Sequence, residues 1–461
     1  MMTKDAFDLI VLGSGPSGRR AAIQAAKLDK KVLVIEDNKL GGVSVHTGTV
    51  PSKTMREAVL NLTQFRERTF NNQETESADI SRVLDRLHKT QDREVNLLNN
   101  QFDRNAVRSV SGFGSFIDRN TIKVNGVDGS SRKYKADKII ISVGTKCFRP
   151  SNLDFDGKYV CDSDQILEVE DIPDKVLVVG AGVIGVEYAS ILNVLGKKVI
   201  LIDPRSQYLE FIDREIIDEF TKILTQRGVD FKLGRKLDQV LSKDSNAVNV
   251  QLDNGDTLTV GMVLFAAGRL GSTDGLNLES CNIDVDKRGR ISVNPDTFQT
   301  AADNIYAVGD VIGFPALAST SMAQGRIAAC HAFGREIFSL PKVLPYGIYA
   351  VPEISTAGMS EHELNEEGID YVKGIGLFRE TARGEIMGVE FGLMKLLFSK
   401  EDERLLGVHI IGEGAAELIH IGQAVMQLNG CMNYFVENVF NFPTLAEAYK
   451  IAALNAWNKL N

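Results

Sequence analysis

The chain has 461 residues, 44% of them apolar and 25% charged, an ordinary balance for a globular protein of about two to four domains. Lys and Arg number 52 against 61 Asp and Glu, a net charge of -9, with no basic patch or tail, so no nucleic-acid partner is expected. No apolar stretch reaches the roughly 20 residues that cross a bilayer, and the scattered Cys147, Cys161, Cys281, Cys330 and Cys431 show neither redox nor metal spacing; a cytoplasmic protein without membrane or metal is the expectation.

The first residues, MMTKDAFDLIVLGSG, carry a short apolar run that enters a glycine motif and no cleavage site, so a signal peptide is not expected. Residues 9–12 are continuously apolar, the pattern of a buried parallel strand. Gly13, Gly15 and Gly18 follow as G-x-G-x-x-G. A helical stretch comes next, with Ala21, Ala22 and Ala25 on one face. A second apolar run, 32–35, ends in Glu36. Each part has a task at a dinucleotide. The first glycine turns the chain, the second lets backbone approach a pyrophosphate, and the third lets helix and strand pack closely. The helix N-terminus offers free N–H groups to the phosphates, and the acid accepts from ribose hydroxyls.

Residues 41–53, GGVSVHTGTVPSK, begin with two glycines and end in Pro-Ser-Lys. The span 54–104 is polar and strongly helical, and its charges read as solvated faces. The first device then recurs. Residues 176–179 give the strand, Gly180, Gly182 and Gly185 the fingerprint, and Asp203 the acid. Gly13 to Glu36 and Gly180 to Asp203 are both separations of 23 residues. A lone fingerprint is weak evidence. Two in full strand–turn–helix–strand context predict two dinucleotide sites, one cofactor held and one exchanged.

These stretches, with SVGTKCFRP, FAAGRLGST and TAADNIYAVGDVIGFPALAS, resemble the pyridine nucleotide-disulfide oxidoreductase family, which includes dihydrolipoamide dehydrogenase and glutathione reductase. The resemblance covers nearly the whole chain. It implies an α/β fold of two Rossmann-like dinucleotide-binding domains, for FAD and NAD(P), plus a C-terminal α+β dimerisation domain. The implied boundaries are 1–150 and 271–344 for the split FAD domain, 151–270 for the NAD(P) domain and 345–461 for the interface domain of a homodimer or larger oligomer. For FAD it implies Gly13, Gly15, Gly18, Glu36, Gly41, Gly42, Lys53, Gly144, Asp310 and Ala318. For NAD(P) it implies Gly180, Gly182, Gly185, Glu187, Asp203, Arg205 and Gly268.

The family's disulfide reductases use two thiols spaced C-x-x-x-x-C and a histidine before a C-terminal Pro-Thr. Here those places hold Ser44, Thr49 and Phe442. Hydroxyls form no disulfide and ionise far above a thiol's ordinary pKa of about 8.5, and phenylalanine takes no proton. Disulfide reduction is therefore not expected. HTGTVPSK, GVIGVEYASI, FRETARGEI, ELIHIGQAVM and FNFPTLAEAY resemble the branch that lacks the complete disulfide and the base, although that branch can keep a cysteine where Ser44 stands. The implied activity is FAD-dependent hydride exchange between NADPH and NAD+, ping-pong through one nicotinamide pocket, with NAD(H) and NADP(H) as substrates.

By the same resemblance Lys53 and Glu187 form an ion pair beside the flavin, while the role of His46 stays open. Asp203 favours NAD(H), because a 2′-phosphate is repelled by a carboxylate. Arg205 is placed to swing toward that phosphate, and Lys197 and Lys198 read as a solvated helix end. The competing expectations are an NADH-dependent oxidase or diaphorase, which Asp203 suits, and a catalytically retired scaffold.

Overall fold

The computed structural model describes residues 6–68, 80–244, 247–336 and 339–460. The strand Ala6–Leu12 lies at the centre of a seven-stranded sheet. It pairs in parallel with Val32–Glu36 and with Ser131–Ile141, bringing Ile10 opposite Leu33 and Ile139. Arg108–Ser111 extends the sheet beyond Val32–Glu36, and Ile305–Ala307 extends it beyond Ser131–Ile141. The strand Ser131–Ile141 changes character along its length. Tyr134 is buried between exposed neighbours where the strand pairs antiparallel with Thr121–Asn125, and Ala136, just beyond, is buried between exposed neighbours too. Ile139, Ile140 and Ile141 are all buried where both neighbours are parallel. Alternation suits a sheet with one wet face, and a solid apolar run suits one covered on both.

The second fingerprint sits in its own parallel sheet. Its order is Asp230–Leu233, Lys198–Asp203, Lys175–Val179, Met262–Phe265 and Val160–Asp162. An antiparallel meander, Leu237–Asp244, Ala247–Leu252 and Thr257–Val260, packs beside it. The chain passes between the two sheets twice. The two crossings, Thr145–Cys147 and Arg269–Gly271, pair antiparallel with each other, Arg269 opposite Cys147.

The C-terminal region is a five-stranded antiparallel sheet ordered Tyr346–Ile348, Ile354–Gly358, Leu405–Ile411, Leu393–Ser399 and Tyr371–Leu377. Helix Glu447–Leu460 lies directly on Tyr371–Leu377. A Cβ at Gly374 would stand 1.8 Å from Ala452 O, and one at Gly376 2.5 Å from Ala448 O. Glycines two apart share one face of a strand, so GIG makes the seat that the buried Ala448, Ala452 and Ala456 occupy.

The helical span after Pro51 is two helices, Thr49–Arg68 and Ile80–Arg104; residues 69–79 lie outside the described part. Each has an apolar stripe beside its solvated face. Met55, Ala58 and Val59 are buried on one, and Val83, Leu87, Leu98 and Phe102 on the other. Two residues differ from the sequence reading. Lys198 opens a strand instead of ending a helix, and Lys197 is held 3.3 Å from Asp174. Among the described residues, no helix is long and apolar enough to cross a membrane.

Candidate functional site: two dinucleotide folds meeting at Lys53 and Glu187

The two fingerprints repeat the same glycine geometry. Gly13 and Gly180 have φ of +95° and +105°, conformations that strain any side chain. A Cβ at Gly18 would lie 2.0 Å from Gly13 O, and one at Gly185 1.7 Å from Gly180 O. The third glycine therefore lets each helix seat on the turn that launches it. Gly15 and Gly182 instead face open space, with nothing within 4 Å of a Cβ. The helices Pro16–Ala26 and Val183–Val194 begin there without a side-chain cap, leaving their first N–H groups for an anion.

The acids differ. Glu36 Oε2 accepts Ser14 N at 2.8 Å and Ser14 Oγ at 2.5 Å, while Oε1 accepts only Asn38 N at 3.1 Å. A carboxylate has about four acceptor directions, so Glu36 keeps one for a ribose hydroxyl. Asp203 keeps none. Oδ2 accepts Ala181 N at 2.8 Å and Arg205 Nη2 at 2.9 Å; Oδ1 accepts Arg205 N at 2.9 Å and Arg205 Nε at 2.8 Å. Burial alone would raise the Asp203 carboxyl, but the Arg205 bonds outweigh it and hold the group below its ordinary value. The negative charge that the sequence sets against a 2′-phosphate is thus already neutralised.

Around the first fingerprint, Gly41 N donates to Ser14 Oγ at 2.8 Å, and a Cβ at Gly42 would stand 3.3 Å from Gly15 Cα. Asp310 follows the strand Ile305–Ala307, and Ala318 opens the helix Ala318–Ala332. That helix touches Pro16–Ala26 so closely that a Cβ at Gly325 would lie 2.1 Å from Ser17 O. Asp310 is poorly partnered, with Ser321 Oγ at 3.5 Å, and burial pushes its carboxyl up despite Arg269 nearby. An under-satisfied carboxylate here suits a polyol, as open glycines at a helix N-terminus suit a pyrophosphate; the set fits FAD. Gly144 and Gly268, at the two crossings, have positive φ and open space before them.

Lys53, on Thr49–Arg68, reaches Glu187, on the second fingerprint's helix, with Nζ 2.8 Å from Oε2. The lysine side chain keeps 26% of its exposure, and Nζ lies 4.9 Å from the Tyr349 ring centroid. Glu187 Oε1 accepts Tyr349 N at 2.8 Å, and Val351 N donates to Ser190 Oγ at 3.0 Å. The buried Arg56, one turn after Lys53, donates to Ala350 O at 3.0 Å and pairs with Glu353 at 2.9 Å. The segment 349–353 therefore braces both helices. Sequence reading missed it because backbone partners 162 positions away leave no local pattern.

No thiol stands at this site among the described residues. Ser44 Oγ donates to Gly41 O at 3.1 Å, and Thr49 is exposed at the start of its helix. All five cysteines are free; Cys147, 3.1 Å from Arg269 Nη1, is pushed up by burial. Phe442 is 73% exposed. His46 bonds Leu40 O at 2.9 Å through Nε2, and its carbonyl accepts Gln91 Nε2 at 2.8 Å, so it buttresses the loop against helix Ile80–Arg104.

Two glycine-fingerprint folds meeting at one lysine–glutamate pair define a two-nucleotide oxidoreductase. The chain belongs to the pyridine nucleotide-disulphide oxidoreductase family, which it matches over residues 7–325, with that family's dimerisation domain over 344–453. It is 46% identical, over 98% of both chains, to the soluble pyridine nucleotide transhydrogenase of Mycobacterium bovis BCG Pasteur. It is 42% identical, again over 98% of both, to that of Colwellia psychrerythraea. LpdA of Mycobacterium tuberculosis shares the fold, with a TM-score of 0.90 at 24% identity over 97% and 98% of the chains. The HOCl-induced flavoprotein disulfide reductase RclA of Escherichia coli, as its Cu(II) complex, gives 0.89 at 26% identity over 98% and 99%.

Proposed function

We propose that this protein carries hydride between NADPH and NAD+, each nucleotide binding in turn at the Gly180–Gly185 fingerprint, in a homodimeric cytoplasmic flavoprotein. The observation that carries the reading is the Lys53–Glu187 pair, intact and braced by Tyr349, in a chain with Ser44 and Thr49 where a disulfide reductase needs thiols. FAD, when bound, supplies the two-electron chemistry.

The residues hold and orient. Gly15 and the uncapped helix behind it take the FAD pyrophosphate, the spare Glu36 oxygen takes a ribose hydroxyl, and Asp310 takes the polyol. Gly182 and the helix Val183–Val194 take the pyrophosphate of the nicotinamide nucleotide. Lys53 places a fixed positive charge at the junction, and Glu187 fixes its position. Hydride exchange between two nicotinamides needs no protonating side chain, which agrees with phenylalanine at 442 and the absence of a thiol pair. The paired state of Asp203 leaves NADP(H) unrepelled.

Two separate anaerobic half-reactions test this. The flavin absorbance of the purified protein should bleach on mixing with NADPH and, independently, with NADH. A protein that bleaches with NADH alone would not be this enzyme.

A further inference from the structure

The nucleotide exchanged at the second fingerprint must be accepted with and without a 2′-phosphate, and the structure places a cation for that task beyond the sequence's Arg205. Strand Asp230–Leu233 runs beside Lys198–Asp203, with Leu233 opposite Asp203. The chain leaving it is stitched to the acid's own loop. Gly234 N donates to Arg205 O at 3.0 Å, and Arg235 N donates to Asp203 O at 3.0 Å. Arg235 therefore stands beside Asp203 and Arg205 at the strand ends where a ribose of the nucleotide lies.

The two arginines are in different electrostatic states. Arg205 donates through Nε and Nη2 to Asp203, a bidentate pair that raises its own basicity. A phosphate can engage Arg205 only by competing with that carboxylate. Arg235 is exposed, and its guanidinium donates only to its neighbour Gly234 O at 3.0 Å, with no carboxylate partner among the described residues. It carries a free charge and unused donors.

We propose that Arg235 is the residue that reads the 2′-phosphate of NADP(H). Asp203 and Arg205 form the part of the site common to both nucleotides. With NAD(H), a ribose hydroxyl replaces one Arg205 bond on Asp203, and Arg235 stays in solvent. With NADP(H), Arg235 donates to the phosphate, and Arg205 keeps the carboxylate beneath it neutralised. One site then admits both nucleotides although its acid resembles that of an NAD-only fold. This rests on the proposed function, since only an enzyme using both nucleotides needs the device.

The test is calorimetric binding of adenosine 2′,5′-bisphosphate and of 5′-AMP to the flavin-loaded wild type, Arg235→Gln and Arg235→Lys. The wild type should prefer the bisphosphate. Arg235→Gln should weaken the bisphosphate by about tenfold to a hundredfold, the loss of charge-assisted bonds, and leave 5′-AMP within about twofold. Arg235→Lys should recover most of the loss, because it restores the charge. In turnover the KM for NADPH should rise in Arg235→Gln while kcat and the KM for NAD+ hold. An unchanged bisphosphate affinity in Arg235→Gln, or an equal loss of both ligands, overturns the assignment. Failure of the proposed function shows differently, as absent hydride exchange in a wild type that still discriminates the two ligands.

Discussion

Lys53 and Glu187 lie 134 positions apart in sequence and 2.8 Å apart in space, and the carboxylate's other oxygen is occupied by the backbone of Tyr349. Each of the three comes from a different sequence region, so the pair reports their assembly. A half-exposed surface pair is worth little, but this one has a buried carboxylate with both oxygens bonded. The ammonium cannot drift without breaking its bond to that carboxylate.

Replacing the charge tests its role. Lys53→Met should retain FAD and slow anaerobic flavin reduction by NADPH about tenfold or more, the scale of losing a preorganised cation. Glu187→Gln should act in the same direction and less strongly, because Lys53 remains. Stopped-flow bleaching measures both. An unaltered rate in Lys53→Met would reduce the pair to a structural brace.

The two fingerprints should fail separately. A methyl group at residue 18 or 185 meets the turn carbonyl at 2.0 Å or 1.7 Å, so helix and turn must part. Gly18→Ala should purify with depleted flavin. Gly185→Ala should stay yellow but show a KM for NADPH raised about tenfold or more, since its pyrophosphate site is displaced. Flavin content by absorbance and steady-state kinetics distinguish the two outcomes. Colourless Gly185→Ala protein would contradict the division of labour.

Restoring thiols should not restore disulfide chemistry. Ser44→Cys with Thr49→Cys supplies two sulfurs, yet Phe442 still offers no base to activate the interchange thiol. NADH-dependent lipoamide reduction should stay at background in the double variant. Substantial turnover there would show that the base is dispensable or supplied elsewhere.

A buried ionic cluster should set the acid limit of stability. Lys395, with a side chain 1% exposed, lies 2.7 Å from Asp213 and 2.9 Å from Glu215, and it contacts Glu361. Lys373 joins Glu215 at 3.1 Å and Glu361 at 3.0 Å. Burial alone would raise all three carboxyls. His409 and Lys395 outweigh it at Asp213, and Lys395 does so at Glu215 and Glu361, leaving each depressed. Burial would lower Lys395, but its carboxylates hold it raised. Depressed acids stabilise fully above the ordinary carboxylate range, near pH 4, and lose that contribution as pH falls through their folded values. The raised lysine contributes fully below about pH 10 and loses its share only above that. Lys395→Met should cost about 3 kcal/mol in urea unfolding at pH 7, because it leaves the buried Asp213 carboxylate without its cation, while Glu215 and Glu361 keep Lys373. The deficit should shrink as pH falls below about 4. A deficit independent of pH would assign the loss to packing.

What the sequence could reveal was set by range. The fingerprints, the acids at Glu36 and Asp203 and the missing thiols are local patterns, readable without knowing any distant partner. Ser131–Ile141 announces its two environments in its own alternation. By contrast, nothing local in LMKLLFS marks Lys395 as buried. It is buried because Asp213, 182 positions earlier, caps helix Arg214–Gln226 at that point. The same limit hid Tyr349 and the neutralisation of Asp203, since a side chain's partner is fixed only when the chain has folded. Arg235 was hidden in the same way, because only strand pairing brings it to Asp203.

The most direct test of the central claim is to mix the protein anaerobically with NADPH and thionicotinamide-NAD+, follow the reduced thio-analogue by its absorbance, and offer lipoamide in a parallel reaction. The account predicts sustained thio-NADH formation and no lipoamide reduction. Lipoamide reduction, or bleaching by NADH with no thio-NADH formed from NADPH, would contradict it.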